Sequence, residues 1–358
     1  MYSGKTIVVT GGAGFAGSHL ALAFKSNWPS ARVIALDNLK RRGSELNITR
    51  LTSSGVEFLH GDVRNREDFI TLPQLDLLVE CSAEPSVLAG YDSAPDYVIN
   101  SNLMGALRCL EWARRYEAPF LFLSTSRVYP VQLLNRLKLV EEETRFDLAP
   151  DQPFPGVSYE GIAEAFPLEG TRSLYGSTKL SAELFIAEYQ EIYGLPAVIN
   201  RCGVIAGPGQ LGRVDQGILA FWIAAHVYER PLSYIGFGGQ GKQLRDMLHI
   251  QDLTELVLKQ VSQIDKWDGR PLNAGGGREG SVSLCELTGL CQEFTGKKIP
   301  INSVMENRPA DIPLYMTDNS AMSRLYDWEP RRPVQQLVEE TVRWVVDNKE
   351  RLRPIFCS

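Results

Sequence analysis

Short apolar runs recur along the first two hundred residues: Ile7–Val9, Val33–Leu36, Val56–Leu59, Leu75–Val79, Pro119–Leu123 and Ala197–Ile199. Ile7, Val8 and Val9 are apolar throughout, as a strand buried on both faces is. Helical patterns stand between them; Asn102–Arg115, for example, carries Leu103, Leu107 and Leu110 along one stripe. Strand alternating with helix predicts parallel strands joined by right-handed crossovers, an α/β fold with a doubly wound sheet. From Gly203 the pattern changes. Gly207-Pro208-Gly209-Gln210 is loop chemistry, a helix follows around Ile218–Ala225, and Leu272–Gly276 reads as one more strand ending in a turn. The expected division is a sheet domain of residues 1–206, completed by a strand and helix from 242–276. Residues 207–241 and 277–358 then form a smaller C-terminal lobe.

The first strand runs into Thr10-Gly11-Gly12-Ala13-Gly14-Phe15-Ala16-Gly17 and then into a helical pattern. A strand passing through glycines into a helix N-terminus makes a pyrophosphate site. The glycines let the backbone turn and approach the ligand, and the first helical N–H groups point at its charge. Gly11, Gly14 and Gly17, with Phe15 and Ala16 between them, are the candidate phosphate contacts, and the sheet is of Rossmann type. Asp37 closes the second apolar run, at the distance where an acid accepts both ribose hydroxyls of NAD and repels the extra phosphate of NADP. Lys40-Arg41-Arg42 follows it and is the kind of run that can hold that phosphate; NAD is nevertheless the expected cofactor. Asn38 is counted with Asp37. After the third run stand Asp62 and Val63, where Asp62 either accepts from an adenine amino group or caps a helix starting at Asn65.

The net charge of −6, with 44% hydrophobic and 22% charged residues, suits a globular protein and argues against nucleic acid as a partner. No apolar run approaches the roughly 18 residues of a membrane span. The first strand begins within a few residues of the N-terminus, which leaves no room for a signal peptide, so a cytoplasmic location is expected. The six cysteines are scattered and the four histidines lie far apart in sequence, so no metal site and no disulfide framework is expected. Cys81, Cys109 and Cys202 read as small core residues, and His19 as a structural helix residue.

Leu174-Tyr175-Gly176-Ser177-Thr178-Lys179 opens a helix that runs to about Gly194. Tyr175 and Lys179 are one turn apart on the same face. A lysine ammonium and an oxidised nicotinamide both favour the phenolate of a tyrosine that otherwise ionises near pH 10. The phenolate then takes an alcohol proton while the carbon loses a hydride. The fifth strand ends in Ser124-Thr125-Ser126-Arg127, and residues at the carboxyl ends of parallel strands face the ligand crevice. Ser124 or Thr125 can therefore bond the reacting oxygen, or simply cap its own backbone. Residues 130–172, irregular and rich in proline, are a candidate lid or substrate wall.

Glycines, Asp37, a Ser/Thr strand end and Tyr-x-x-x-Lys occur here in the order and spacing of the extended short-chain dehydrogenase/reductase family, which the whole chain resembles. That family includes nucleotide-sugar epimerases and dehydratases. Within it the sequence is most similar to the CDP-tyvelose (CDP-paratose) 2-epimerases. The similarity lies in Asp37-Asn38-Leu39, Arg42-Gly43, Leu46-Asn47, Asp215-Gln216-Gly217 and Gly241–His249. The resemblance implies that Tyr175 is the acid/base and that Lys179 supports it and holds the nicotinamide ribose. It implies that Thr125 orients substrate and Asn102 supports the site. Ser126, Arg201 and Gln216 fall among the substrate contacts. Arg245 and Arg308 match two arginines near the nucleotide diphosphate; for each, an internal salt bridge is the alternative, as between Arg245 and Asp246 or Asp252.

The sequence also departs from its relatives. Dehydratases of the family carry Thr-Asp-Glu where this chain has Thr125-Ser126-Arg127, so the carboxylates that eliminate water are missing. Tyvelose epimerases usually have Asn-Lys there. Pro130 replaces a common glycine, and residues 156–173 differ as well. The reaction this implies is NAD-dependent epimerisation of a nucleotide-linked hexose, favouring C2 of a CDP-sugar, by transient oxidation and hydride return. A 4-epimerase or a net dehydrogenase or reductase is the alternative, and an NAD-sensing protein on the same fold is another. A homodimer working in carbohydrate metabolism, with lipopolysaccharide biosynthesis as its setting, is also implied.

Overall fold

A computed structural model describes residues 2–91, 93–213 and 216–357. Asp215, part of one motif quoted above, lies outside the described residues. The chain divides into two compact units. The first comprises Met1–Val128, Leu174–Arg201 and Thr254–Leu272; the second comprises Tyr129–Ser173, Cys202–Leu253 and Asn273–Ser358. The division thus differs from the expected one. Residues 129–173, 202–206, 242–253 and 273–276 group with the second unit, whereas 254–272 stay with the first as expected.

Seven strands form the central sheet: β1 (Thr6–Thr10), β2 (Arg32–Asp37), β3 (Glu57–His60), β4 (Leu77–Glu80), β5 (Phe120–Thr125), β6 (Ala197–Cys202) and β7 (Pro271–Ala274). Their order is β7-β6-β5-β4-β1-β2-β3. β1 pairs in parallel with β2 and β4, β2 with β3, and β4 with β5. Each apolar run of the sequence supplies one strand. β4, β5 and β6 are buried at every residue, which explains why each begins as a continuous apolar run and does not alternate. β3 lies at the edge of the sheet and is only partly covered, and it carries Glu57 and His60. The strand order reverses between β1 and β4, and the ligand crevice of such a sheet opens at that point.

Helices cover this sheet. α1 spans Phe15–Asn27, α2 Gly105–Arg115, α3 Leu174–Tyr193 and α4 Ile250–Val261. The core between sheet and helices includes Val8, Ile34, Leu78, Trp112, Phe120 and Ile199. The helical pattern read from Asn102 begins differently in the structure: Asn100–Met104 is a π-helical turn leading into α2. The extra residue in that turn changes which side chains face inward, a feature often found at functional sites.

In the second unit, Leu244–His249 pairs in parallel with Val204–Ala206 and with Leu314–Tyr315, and antiparallel with Ser281–Ser283. Leu232–Ile235 pairs in parallel with Ile301–Val304. Ile218–Val227 is apolar on every side and is buried almost throughout, packed with residues of Leu284–Thr295 and Val334–Asp347. Residues 130–172 are more regular than expected. They hold a helical turn, Val131–Leu134, and two small hairpins, Leu139–Glu141 with Phe146–Leu148 and Val157–Ser158 with Gly161–Ile162. Arg145 bonds Glu286 at 2.6 Å and Arg278 bonds Asp147 at 2.8 Å, which anchors the first hairpin within its own unit. Cys109 and Cys202 are buried, whereas Cys81 is half-buried.

Backbone contacts fix the glycine turn. Gly11 has φ +61°, and a Cβ on it would stand 2.9 Å from the backbone carbonyl of Cys81, the residue after β4. A Cβ on Gly12 would stand 2.6 Å from Cα of Ala35 on β2. The turn is therefore wedged between the strands on either side of β1. Neither neighbour is a flexible side-chain end that could swing away. Gly12→Ala should therefore destabilise the fold by about 1–3 kcal/mol, the range for overpacking a tight site. Chemical denaturation checks this, and wild-type stability in that variant would show that β2 can yield.

Candidate active site

The candidate nucleotide cradle lies at the switch point. α1 opens at Gly14 with no side-chain cap and no acid in its first turn, so its positive end is left to a ligand. A Cβ on Gly17 would stand 2.2 Å from the Gly11 carbonyl oxygen, so only glycine lets the helix start this close to the turn. Asp37 Oδ2 accepts from the Ala13 N–H at 3.0 Å and Oδ1 from the Leu39 N–H at 2.8 Å. Burial pushes its carboxyl up, and bonds from Leu39, Ala13 and Gly14 offset this in part. Phe15 and Ala16, in the first turn of α1, complete this side. A cradle that a Cβ would fill, an uncapped helix start and a strand-end acid together fit a dinucleotide.

Next to it, Asn38 Nδ2 donates to Asp62 Oδ2 at 3.0 Å. Arg64 reaches the same carboxylate at 2.7 Å and lies 4.8 Å over the Tyr97 ring. Burial alone would raise the Asp62 carboxyl, but the bonds from Arg64 and Asn38 hold it below its ordinary value. The helix-capping alternative for Asp62 falls away. Its Oδ1 accepts from the Arg64 N–H at 2.9 Å in a tight turn, and the next helical turn is Asp68–Ile70, preceded by Glu67. Val63 is buried against the start of α2, where a Cβ on Gly105 would stand 2.7 Å from it.

The candidate reactive groups lie along α3. Tyr175, Lys179 and Glu183 follow one another at one-turn intervals, and that stripe meets the end of β5. Tyr175 is half-buried in the first turn. Lys179 is 2% exposed; its Nζ donates to the Leu123 carbonyl at 2.9 Å, stands 3.6 Å from Glu80 Oε2 and lies 4.3 Å from the centre of the Phe122 ring. Of the two candidate hydroxyls, Ser124 is turned away, donating to Glu183. Thr125 Oγ1 accepts from the Arg127 N–H at 3.2 Å, which leaves its O–H proton to donate. Ser126 begins the one-turn helix Ser126–Val128 and is buried. Asn102, turned inward by the π-helical segment, accepts from the Glu84 N–H at 2.7 Å and donates to the Glu84 carbonyl at 3.0 Å. It also donates to Thr178 Oγ1 at 3.3 Å, tying the segment after β4 to the reactive helix.

Arg201 corrects an expectation. It was placed among the substrate contacts, but it is 3% exposed and bonds Glu183 Oε2 at 2.7 Å through Nη2 and 3.1 Å through Nε. Its charge is committed inside the protein. In the second unit, Arg245 forms a salt bridge as the alternative anticipated, but with Asp311, at 2.9 Å. Asp246 instead accepts from the Gly277 and Thr317 N–H groups, and Asp252 pairs with Arg332. Arg245 also bonds the carbonyls of Leu244 and Ile312, each at 2.8 Å. Arg308 is half-buried, and its carbonyl accepts from the Asp311 N–H at 3.3 Å, so one short turn joins it to the partner of Arg245. Gln216 is held by two backbone bonds with Arg213, of 2.6 and 3.2 Å.

Residues 7–275 match the NAD dependent epimerase/dehydratase family. The chain belongs to that family. NAD is its cofactor. The CDP-paratose 2-epimerase of Salmonella typhi is 29% identical over 94% of this chain and 98% of its own length. A UDP-glucuronate 4-epimerase of Thermodesulfobacterium geofontis is 26% identical over 97% and 98%. Among solved structures, Pal from Bacillus thuringiensis superposes with a TM-score of 0.78 at 25% identity, covering 96% of this chain and 99% of that one. The UDP-glucuronic acid 4-epimerase of Bacillus cereus, solved with UDP-glucuronic acid and NAD, gives the same TM-score and coverage at 24% identity. No helix among the described residues is long and apolar enough to cross a membrane.

Three residues of this epimerase-family site escaped the sequence reading. Gly12 was passed over because Gly11, Gly14 and Gly17 already completed a spacing. Glu183 had a signal, since it continues the Tyr175–Lys179 stripe by one more turn. Glu80 had a fainter one, as a lone acid at the end of an apolar run. Glu183→Gln strands the buried guanidinium of Arg201 and should cost about 3–5 kcal/mol, as breaking a buried pair does. Urea unfolding measures this. A loss below about 1 kcal/mol, the value of an exposed pair, would mean that water reaches Arg201.

Proposed function

We propose that the protein epimerises a nucleotide-linked hexose, at C2 of a CDP-sugar, by transient oxidation at one carbon. The observation that carries this reading is the stripe on α3 that meets the end of β5: Tyr175 stands one turn before Lys179, whose ammonium bonds the Leu123 carbonyl two residues before Thr125. Bound NAD would supply a reversible hydride acceptor, held by the turn at Gly11–Gly17 and by Asp37. The remaining chemistry belongs to the chain. The Tyr175 oxygen takes the proton of the hydroxyl being oxidised and later gives it back. Lys179 favours the phenolate through its charge. Thr125 donates to the sugar oxygen and holds it in line with Tyr175. Ser126 and Arg127 offer no carboxylate, so water is retained on the sugar and the oxidised carbon can only be reduced again.

The choice of C2 and CDP rests on the likeness to the Salmonella enzyme over nearly its whole length. Arg245 and Arg308 are assigned to the diphosphate, where a guanidinium fork pairs with two oxygens, and Asn102 and Gln216 to support of the sugar. Epimerisation at C4 of a UDP-sugar is the second reading, favoured by the UDP-glucuronate 4-epimerase relative. A cytoplasmic location is consistent with six free cysteines. Homodimerisation is supported by the outer side of α3, which leaves Leu184, Phe185, Ile192 and Tyr193 exposed. Light scattering should return twice the chain mass, and a monomer at micromolar concentration would remove that assignment.

Incubation with CDP-, UDP-, GDP- and dTDP-hexoses in deuterated water tests the reading directly. Inversion at C2 of a CDP-sugar is expected, with no net NADH and no solvent deuterium in the product. Deuterium at the inverted carbon would mean enolisation, and inversion at C4 would establish the second reading. Tyr175→Phe should lower kcat by about 10²–10⁴-fold, the usual contribution of a general acid/base, while NAD stays bound. Near-normal turnover in that variant would remove Tyr175 from the mechanism.

A further inference from the structure

The mechanism above makes no use of one buried charge. Glu80 closes β4 and is fully buried, in register with Thr10 of β1 on one side and Phe122 of β5 on the other. Cross-strand partners point to the same face of a sheet. The groups facing Glu80 are therefore Thr10, Phe122, Cys109 on α2 and Lys179 on α3, with Ser82 just beyond the strand end. Cys109 is itself buried, and burial pushes its thiol well up, so it stays neutral. The positive charge that Glu80 meets is the Lys179 ammonium, 3.6 Å from Oε2 and longer than a hydrogen bond. Burial pushes the Glu80 carboxyl up, and Lys179 draws it back only in part. A leucine or methionine would fill this place in an apolar strand with no desolvation penalty, as buried ion pairs are often neutral or costly for stability. A carboxylate here makes sense through what it does to its partner.

We propose that Glu80 is a positioning residue for Lys179, keeping its ammonium aimed from the sheet side while the rest of the ammonium serves Tyr175 and the cofactor. A lysine head group is a compact charge on a flexible four-carbon stem, and one carbonyl does not fix it. Here the Leu123 carbonyl at 2.9 Å, the Phe122 face at 4.3 Å and the Glu80 carboxylate at 3.6 Å bound it on the sheet side. The inference rests on Lys179 belonging to the catalytic set. Glu80 acts through Lys179 and touches neither sugar nor NAD.

A double-mutant cycle separates these claims, with Glu80→Gln, Lys179→Met and the pair compared on the NAD-loaded protein. Two quantities are read: the rate at which bound NAD exchanges for labelled NAD, and the position of the acidic limb of kcat against pH. Glu80→Gln keeps the shape of the side chain, and its thermal unfolding shows whether it folds. It should speed NAD exchange about tenfold and move the acidic limb up by about one pH unit, since an ammonium that has lost its aim favours the Tyr175 phenolate less. Added to Lys179→Met, the same change should alter exchange less than twofold and should raise stability, because the double variant leaves no lone buried charge. Equal effects of Glu80→Gln in both backgrounds, or an unmoved limb with unchanged exchange, would overturn the proposal. If Lys179→Met itself left exchange and turnover unchanged, the assignment of Lys179 would fail instead, whatever Glu80 did.

Discussion

The first unit depends on one buried ion pair. Glu183, two turns along α3 from Tyr175, receives the Arg201 guanidinium from β6 and the Ser124 hydroxyl from β5. Both charges are almost fully buried, so neither can be satisfied by water and each must meet the other. The pair therefore fixes the helix that carries Tyr175 and Lys179 against the strand end that carries Thr125. Proton transfer depends on placement to a fraction of an ångström, and a hydrophobic contact, which is non-directional, does not supply that. The directional bonds from Lys179 to Leu123 and from Asn102 to Glu84 and Thr178 work in the same sense. Strand end, π-helical turn and reactive helix thus form one hydrogen-bonded frame.

The cofactor cradle follows a different logic. Its specificity lies in backbone clearance, since the contacts that shape it are between main-chain atoms of Gly11, Gly12, Cys81, Ala35 and Gly17. Side chains enter only at the margin. Asp37 is held by the Ala13 and Leu39 amides, and Asp62 is bound by Asn38 and Arg64. A cradle built of backbone is rigid, which suits the tight hold on NAD that the proposed return of a hydride requires.

The alternation of strand and helix was legible in the sequence because strands of a covered sheet form short, mostly apolar runs, and six such runs became six neighbours in one sheet. The glycine turn was legible because only glycine fits where main chains touch. Tyr175 and Lys179 were legible because helix periodicity places them together whatever surrounds the helix. Arg201 was misread for an equally physical reason. An arginine at a strand end can serve a ligand or a neighbour, and the choice depended on Glu183, which reaches it only through folding. The two hairpins within residues 130–172 were also hidden, because very short strands carry too few residues to show a period.

The sequence by itself determined the sheet, the glycine turn between its first strand and helix, and the family to which the chain belongs. These follow from local rules: period, clearance and helix spacing. Tertiary structure alone decided how the charges are paired. It gave Glu183 to Arg201, Glu80 to Lys179, Asp311 to Arg245 and Asp62 to Arg64. The first three pairs join residues far apart in the chain, so their meeting depends on register and crossover and not on neighbouring residues. Even in the fourth, two residues apart, it is the turn after β3 that brings the charges together. A charge in a sequence announces only that it needs a partner, and the fold settles which one it finds.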